Sequence, residues 1–201
     1  MNARSRRLLR DLLIAVVSTA ALAYLGSAIP VESLKDYQVI WELLPIVWVA
    51  LRHGSASAVI SAILAGSMAG YLKNGHFDLK LLVVYWVLPL TMGAIAGLFA
   101  RNTHRTLNNR RYSSVRLNIA TGTLLSAFMF MVIKFVLAPF ALYMDHLAIS
   151  MKSLPFWGSW LLSTVVVSGI LFLVAHQKPN WILPRRSKYL SSYETSSLLN
   201  D

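Results

Sequence analysis

Glu42 and Lys134 have the clearest chemistry to offer, because each is an ionisable group alone in an apolar stretch long enough to cross a bilayer. A charge at the bilayer centre costs at least ~2.5–3.5 kcal/mol on insertion scales, so such groups pair, face a cavity or line a solute path. At ~1.5 Å per residue, Glu42 lies about 12 Å along the second apolar run from Leu34, and Lys134 lies about 13 Å from the end of the fifth at Tyr143. They meet if the second and fifth helices are neighbours. Two readings then stand: an ion pair that only fixes helix packing, or a pair lining a substrate cavity that opens outward.

Rings cluster at about that depth. Trp41, Tyr71, Tyr85, Trp86, Trp157 and Trp160, together with Tyr143, fall near the same ends of their runs. They suit the walls of a stacking pocket for a planar ring, and Trp and Tyr also form the interfacial belt of any membrane protein. Trp41, Tyr85, Trp86 and Trp160 lie a turn or more inward, which favours the pocket for these four. The five histidines are scattered without ligand spacing and cysteine is absent, so no metal site or cofactor is expected.

The elements that must position these residues are membrane helices. Of 201 residues, 56% are hydrophobic and only 13% charged, with mean hydropathy +0.57. Ordinary soluble domains carry roughly 25% charged residues. Six apolar runs are read as helices: Leu8–Ile29, Leu34–Leu51, Ser55–Leu72, Leu79–Ala100, Arg116–Tyr143 and Pro155–Ala175. The second is interrupted by Gln38, Glu42 and Pro45, as a broken or tilted helix would be, and Arg52-His53-Gly54 ends it sharply. The first is too long for a cleaved signal peptide and is followed by Pro30 and an acidic loop, so it reads as a retained helix.

The formal charge of +11 follows from the loops. Fourteen Lys and Arg fall on the side holding both ends of the chain, four on the other side and one, Lys134, within a span. The positive-inside rule then gives an all-α integral membrane protein with six transmembrane helices and both termini cytoplasmic. The bilayer and not nucleic acid accounts for the charge. Residues 1–183 form the membrane domain, and the Ser-rich stretch 184–201 reads as a flexible cytoplasmic tail.

In the first helix Ala15, Thr19 and Ala23 recur at four-residue spacing, with Val17 and Ala21 on an adjoining face. Small side chains let another helix approach closely, within the chain or from a partner.

Together, the run AVVSTAALAYL, the segment WELLPIVWVALRHG, the segment VLPLTMGAIAGLF at Val87–Phe99, Lys134, and VVVSGIL around Gly169 resemble the thiamine-specific substrate-binding (S) components of energy-coupling factor (ECF) vitamin transporters. The resemblance spans nearly all of the membrane region. It implies six helices in a bacterial plasma membrane, a vitamin pocket in the outer half, and an AxxxA-like face of the first helix that docks onto a membrane-embedded coupling subunit served by two ATPases. Val17 and Ala21 align with that motif, with Val17 a departure for which the Ala15–Thr19–Ala23 face is the substitute. Glu42 and Lys134 match a family glutamate and lysine, Tyr85 matches a tyrosine, and Trp160 stands where a tyrosine is expected. Three polar contacts to thiamine are missing: no glutamate lies beside Tyr85, Ala138 stands near the helix-five histidine, and Val165 stands at the helix-six asparagine. Ring faces can still hold a cationic thiazolium at ~0.5–2 kcal/mol per contact.

The expected function is therefore vitamin capture, of thiamine or a related heteroaromatic compound, for ATP-driven uptake. The alternative is a self-sufficient proton-coupled secondary transporter, with Glu42 exchanging the proton and Lys134 tuning it. No inverted repeat supports that alternative. An enzyme is not expected, since no catalytic triad, HExxH or paired-aspartate arrangement lies in the spans, and no P-loop is present.

Overall fold

A short central helix, α2 (Leu43–His53), is enclosed by five longer ones: α1 (Ala3–Leu25), α3 (Ser55–Asn74), α4 (Leu79–Asn108), α5 (Tyr112–Leu142) and α6 (Leu154–Gln177). The computed structural model describes residues 3–26, 37–76 and 78–183. The predicted tail at 184–201, the acidic loop around Glu32 and the start of the second run at Leu34 lie outside the described residues. The protein is all-α, and five of these helices are long and apolar enough to cross a membrane.

The exception is α2, and it corrects the expected Leu34–Leu51 helix. Residues 37–40 are non-helical, Trp41 and Glu42 form a turn, and the helix begins at Leu43. Pro45 is the physical reason: one turn further back its ring would clash with the Trp41 carbonyl and its missing N–H would leave a gap. In the structure the Trp41 carbonyl accepts instead from the Leu44 N–H at 3.1 Å. Non-helical backbone at membrane depth needs other partners, and α6 supplies them from successive turns. Ser159 Oγ accepts from the Gln38 N–H at 2.9 Å, while Ser163 Oγ accepts from the Ile40 N–H at 3.0 Å and donates to the Gln38 carbonyl at 3.3 Å. Leu43, Ile46, Val47, Val49, Ala50 and Leu51 are fully buried, so α2 forms the core. It ends where Gly54 adopts φ +92°, a left-handed value suited to glycine, and the chain reverses directly into α3.

Close helix approach depends on small residues. The buried face of α3 is Ala58, Ser61, Ala62, Ala65, Gly66, Ala69 and Gly70, and it packs mainly on α1, α2 and α4. A Cβ on Gly66 would come within 2.8 Å of Val87 Cα, and one on Gly70 within 2.9 Å of the Trp86 ring.

Both long hairpin helices change their winding in mid-span. Residues Leu82–Val87 of α4 and Val132–Leu137 of α5 are π-helical. Each wide turn closes with a five-residue bond, Leu88 N–H to Val83 and Ala138 N–H to Ile133, immediately before a proline, Pro89 or Pro139. A proline cannot donate to the carbonyl four residues back and crowds it, so the turn widens. The Phe135 carbonyl, which Pro139 leaves without its helical donor, accepts from the Ile149 N–H at 2.9 Å. In α4 the π turn gives way, after Leu88–Thr91, to a tight 3-10 stretch, Met92–Phe99, whose Ala96 N–H donates to Ser126 Oγ of α5 at 3.1 Å.

Candidate functional site

The two π segments carry Lys134, Tyr85 and Trp86 among the residues that the sequence singled out. Lys134 Nζ donates to Glu42 Oε1 at 2.6 Å, joining α5 to the turn that opens α2. The second and fifth helices are thus neighbours at this depth. Both side chains are largely buried, 9% exposed for Lys134 and 13% for Glu42. Four rings surround the ammonium: Phe130 at 5.0 Å, Trp86 at 5.1 Å, Tyr85 at 5.5 Å and Phe135 at 5.9 Å from ring centroid to Nζ. Each lies within cation–π range. Tyr85 and Trp86 meet edge to face, with centroids 5.5 Å apart. The indole of Trp86 is buried against Gly70, and its Nε1–H has no hydrogen-bond partner.

This arrangement alters the expected picture of an open cleft. The rings close around the protein's own cation, which holds the carboxylate at the same time. Glu42 and the ring faces therefore offer what a cationic heteroaromatic would need, with Lys134 in the place of that cation.

The other expected residues divide. Trp157 and Trp160 form a second cluster with Phe128 and Phe156, at centroid separations of 5.5–6.2 Å. Their indole N–H groups are already bound to the Met151 and Leu124 carbonyls, at 2.8 and 3.0 Å, leaving only ring faces for a ligand. Trp41, next to Glu42, and Tyr71, next to Gly70, are exposed. Val165 also points outward, at 66% exposure, so it cannot stand for a pocket asparagine; the inward positions on that stretch of α6 are Ser159, Ser163 and Thr164. Ala138 is buried.

On α1 the structure separates the two small-residue faces. Ala15, Thr19 and Ala23 are buried within the chain, where α1 packs on α3, which corrects their expected use as a substitute docking face. Val17 and Ala21 are exposed.

Three features escaped the sequence reading. Phe130 and Phe135 complete the ring cage, and their spacing around Lys134 on one helix was the available signal. Lys73, in the last turn of α3, interacts electrostatically with both Lys134 and Glu42. Asp11 is 3% exposed at the opposite end of the bundle, where its Oδ2 lies 2.9 Å from both Arg52 Nε and His53 Nε2. An aspartate one turn inside an apolar run was the signal there.

A family profile described as "Thiamine transporter protein (Thia_YuaJ)" matches residues 13–181. The chain belongs to that family. It is a substrate-binding (S) component of an ECF-type importer, it takes a thiamine-like vitamin, and it resides in the plasma membrane with multiple crossings. It is a transport protein and not an enzyme. This placement sets aside the proton-coupled carrier reading. A solved structure of ThiT from Listeria monocytogenes shares the fold of the family member described here, with TM-score 0.71 at 14% sequence identity, covering 90% of this chain and 99% of that one. No curated protein matches the sequence.

Proposed function

We propose that the vitamin binds where Lys134 now sits, between Glu42 and the rings of Tyr85, Trp86, Phe130 and Phe135. Trp41, Tyr71, Trp157 and Trp160 are proposed as outlying walls. The observation that carries this reading is the 2.6 Å Glu42–Lys134 pair inside a four-ring cage. A thiazolium-type cation would take over the ring faces, and the unpartnered Trp86 Nε1–H would donate to a ring nitrogen or hydroxyl. With so few polar anchors, shape and ring faces set the preference, so a thiamine precursor or another small heteroaromatic cation competes with thiamine.

The loop charges support an orientation with both termini cytoplasmic and the Glu42–Lys134 level nearer the outside. Uptake then requires a membrane-embedded coupling subunit and two ATPases, engaged through the exposed Val17–Ala21 face of α1. Mass spectrometry of protein extracted mildly and then denatured tests the ligand, which is expected to be a thiamine-like heteroaromatic. Recovery of an acidic or aliphatic solute instead would overturn the reading. Val17→Trp is expected to lower copurification of the coupling subunit while vitamin binding persists; undiminished copurification would remove this face from the interface.

A further inference from the structure

At the end of the bundle remote from Lys134, α4 and α5 meet in a turn rich in arginine. Arg101, Arg105, Arg110, Arg111 and Arg116 fall within it or beside it, and no Asp or Glu occurs between Leu79 and Met144. A cavity of about 550 Å³ opens between the two helix ends, and its lining includes Arg105, Arg111, Asn102, Asn109, Thr106 and Ser114. Each of these side chains except Thr106, whose hydroxyl donates to the Asn102 carbonyl at 2.8 Å, presents an N–H or O–H donor. Among the described residues, neither Arg105 nor Arg111 is paired with a carboxylate.

The turn is built to hold these groups in place. The Arg111 N–H donates to the Thr106 carbonyl at 2.9 Å and the Asn109 N–H to the Arg105 carbonyl at 3.2 Å. Arg110 between them has φ +52°, a strained value for a residue with a side chain. One wall of the cavity is apolar: Leu117 lines it and is 67% exposed.

We infer that this cavity binds the phosphate of an anionic phospholipid headgroup. The guanidinium groups match phosphate oxygens in bidentate fashion, the Asn102 and Asn109 amides and the Ser114 hydroxyl add neutral donors, and Leu117 lies where an acyl chain would continue from the glycerol. Position at the ends of two membrane spans favours a lipid over soluble phosphate. A zwitterionic choline headgroup brings its own cation toward the arginines and is disfavoured. The inference is independent of the vitamin site.

Native mass spectrometry of the full chain, released from micelles holding equal phosphatidylglycerol and phosphatidylcholine, tests this. Wild type is expected to retain phosphatidylglycerol with a preference of roughly tenfold or more. The double variant Arg105→Gln/Arg111→Gln is expected to lose that preference with its helical circular dichroism intact. Arg6→Gln/Arg7→Gln, equal in charge change, is expected to keep it. Equal retention of the two lipids by wild type, which needs no variant to fold, would overturn the proposal. So would an unchanged preference in the first variant, or equal loss in both. Displacement of the bound lipid by excess inorganic phosphate would overturn the lipid as the source.

Discussion

Lys134 binds Glu42 inside the ring cage, in the place we propose for the ligand's cation, and that has consequences for each residue of the cage. Glu42→Gln and Lys134→Met each leave one charge without its partner, at a cost toward the lower end of about 3–5 kcal/mol because both side chains keep some exposure. The double variant is expected to unfold at a higher temperature than either single variant in detergent. Additive losses would show that the pair contributes no coupling. Trp86→Phe keeps a ring of similar placement and removes an N–H that has no partner in the protein. Its thermal midpoint is expected to hold while vitamin affinity falls about two- to tenfold, the worth of one hydrogen bond; unchanged affinity would mean the indole N–H does not reach the ligand. The charged centre was legible in the sequence because buried charges are rare and their depths can be counted. Trp157 and Trp160 were harder to place, since composition does not say which indoles already bind a backbone carbonyl within the chain.

Irregular backbone places those residues, and serine hydroxyls and prolines govern it. Ser163 both accepts from Ile40 and donates to Gln38, whereas Ser159 makes one bond to this segment. Ser163→Ala is therefore expected to cost about 1–3 kcal/mol by stranding buried backbone groups, more than Ser159→Ala. Equal effects in thermal unfolding would contradict this account of how the segment before Glu42 is held. Gly66→Ala is expected to destabilise by about 1–3 kcal/mol, because the new methyl meets the α4 backbone at Val87 and cannot be relieved by side-chain rotation alone. An unchanged midpoint would show that α3 and α4 separate freely. The six apolar runs emerged from hydropathy, but the shortness of α2 and the π segments did not. Their signals were Pro45, Pro89 and Pro139, whose effect on winding depends on which neighbour supplies the replacement hydrogen bonds.

Across the whole molecule, α2 links two charged centres. Glu42 stands at its first turn with Lys134, and Arg52 and His53 stand at its last with Asp11 of α1. Arg52 also donates to the Asn180 and Trp181 carbonyls at 2.9 and 2.5 Å, bringing the segment after α6 into the same contact. A largely buried helix thus connects the proposed vitamin site to the helix that carries the proposed docking face. Hydropathy was enough for the five long helices because lipid demands long apolar segments. The assignment of buried and exposed faces on α1 was not legible, because Ala15 and Ala21 differ only in what lies opposite them. The most direct test is calorimetric titration of the purified full-length protein with thiamine, compared between wild type and Glu42→Gln. Saturable 1:1 binding by wild type, with at least roughly a tenfold loss in the variant, is the predicted result; thiamine binding of equal strength in both proteins would contradict the assignment of the vitamin to the Glu42–Lys134 cage.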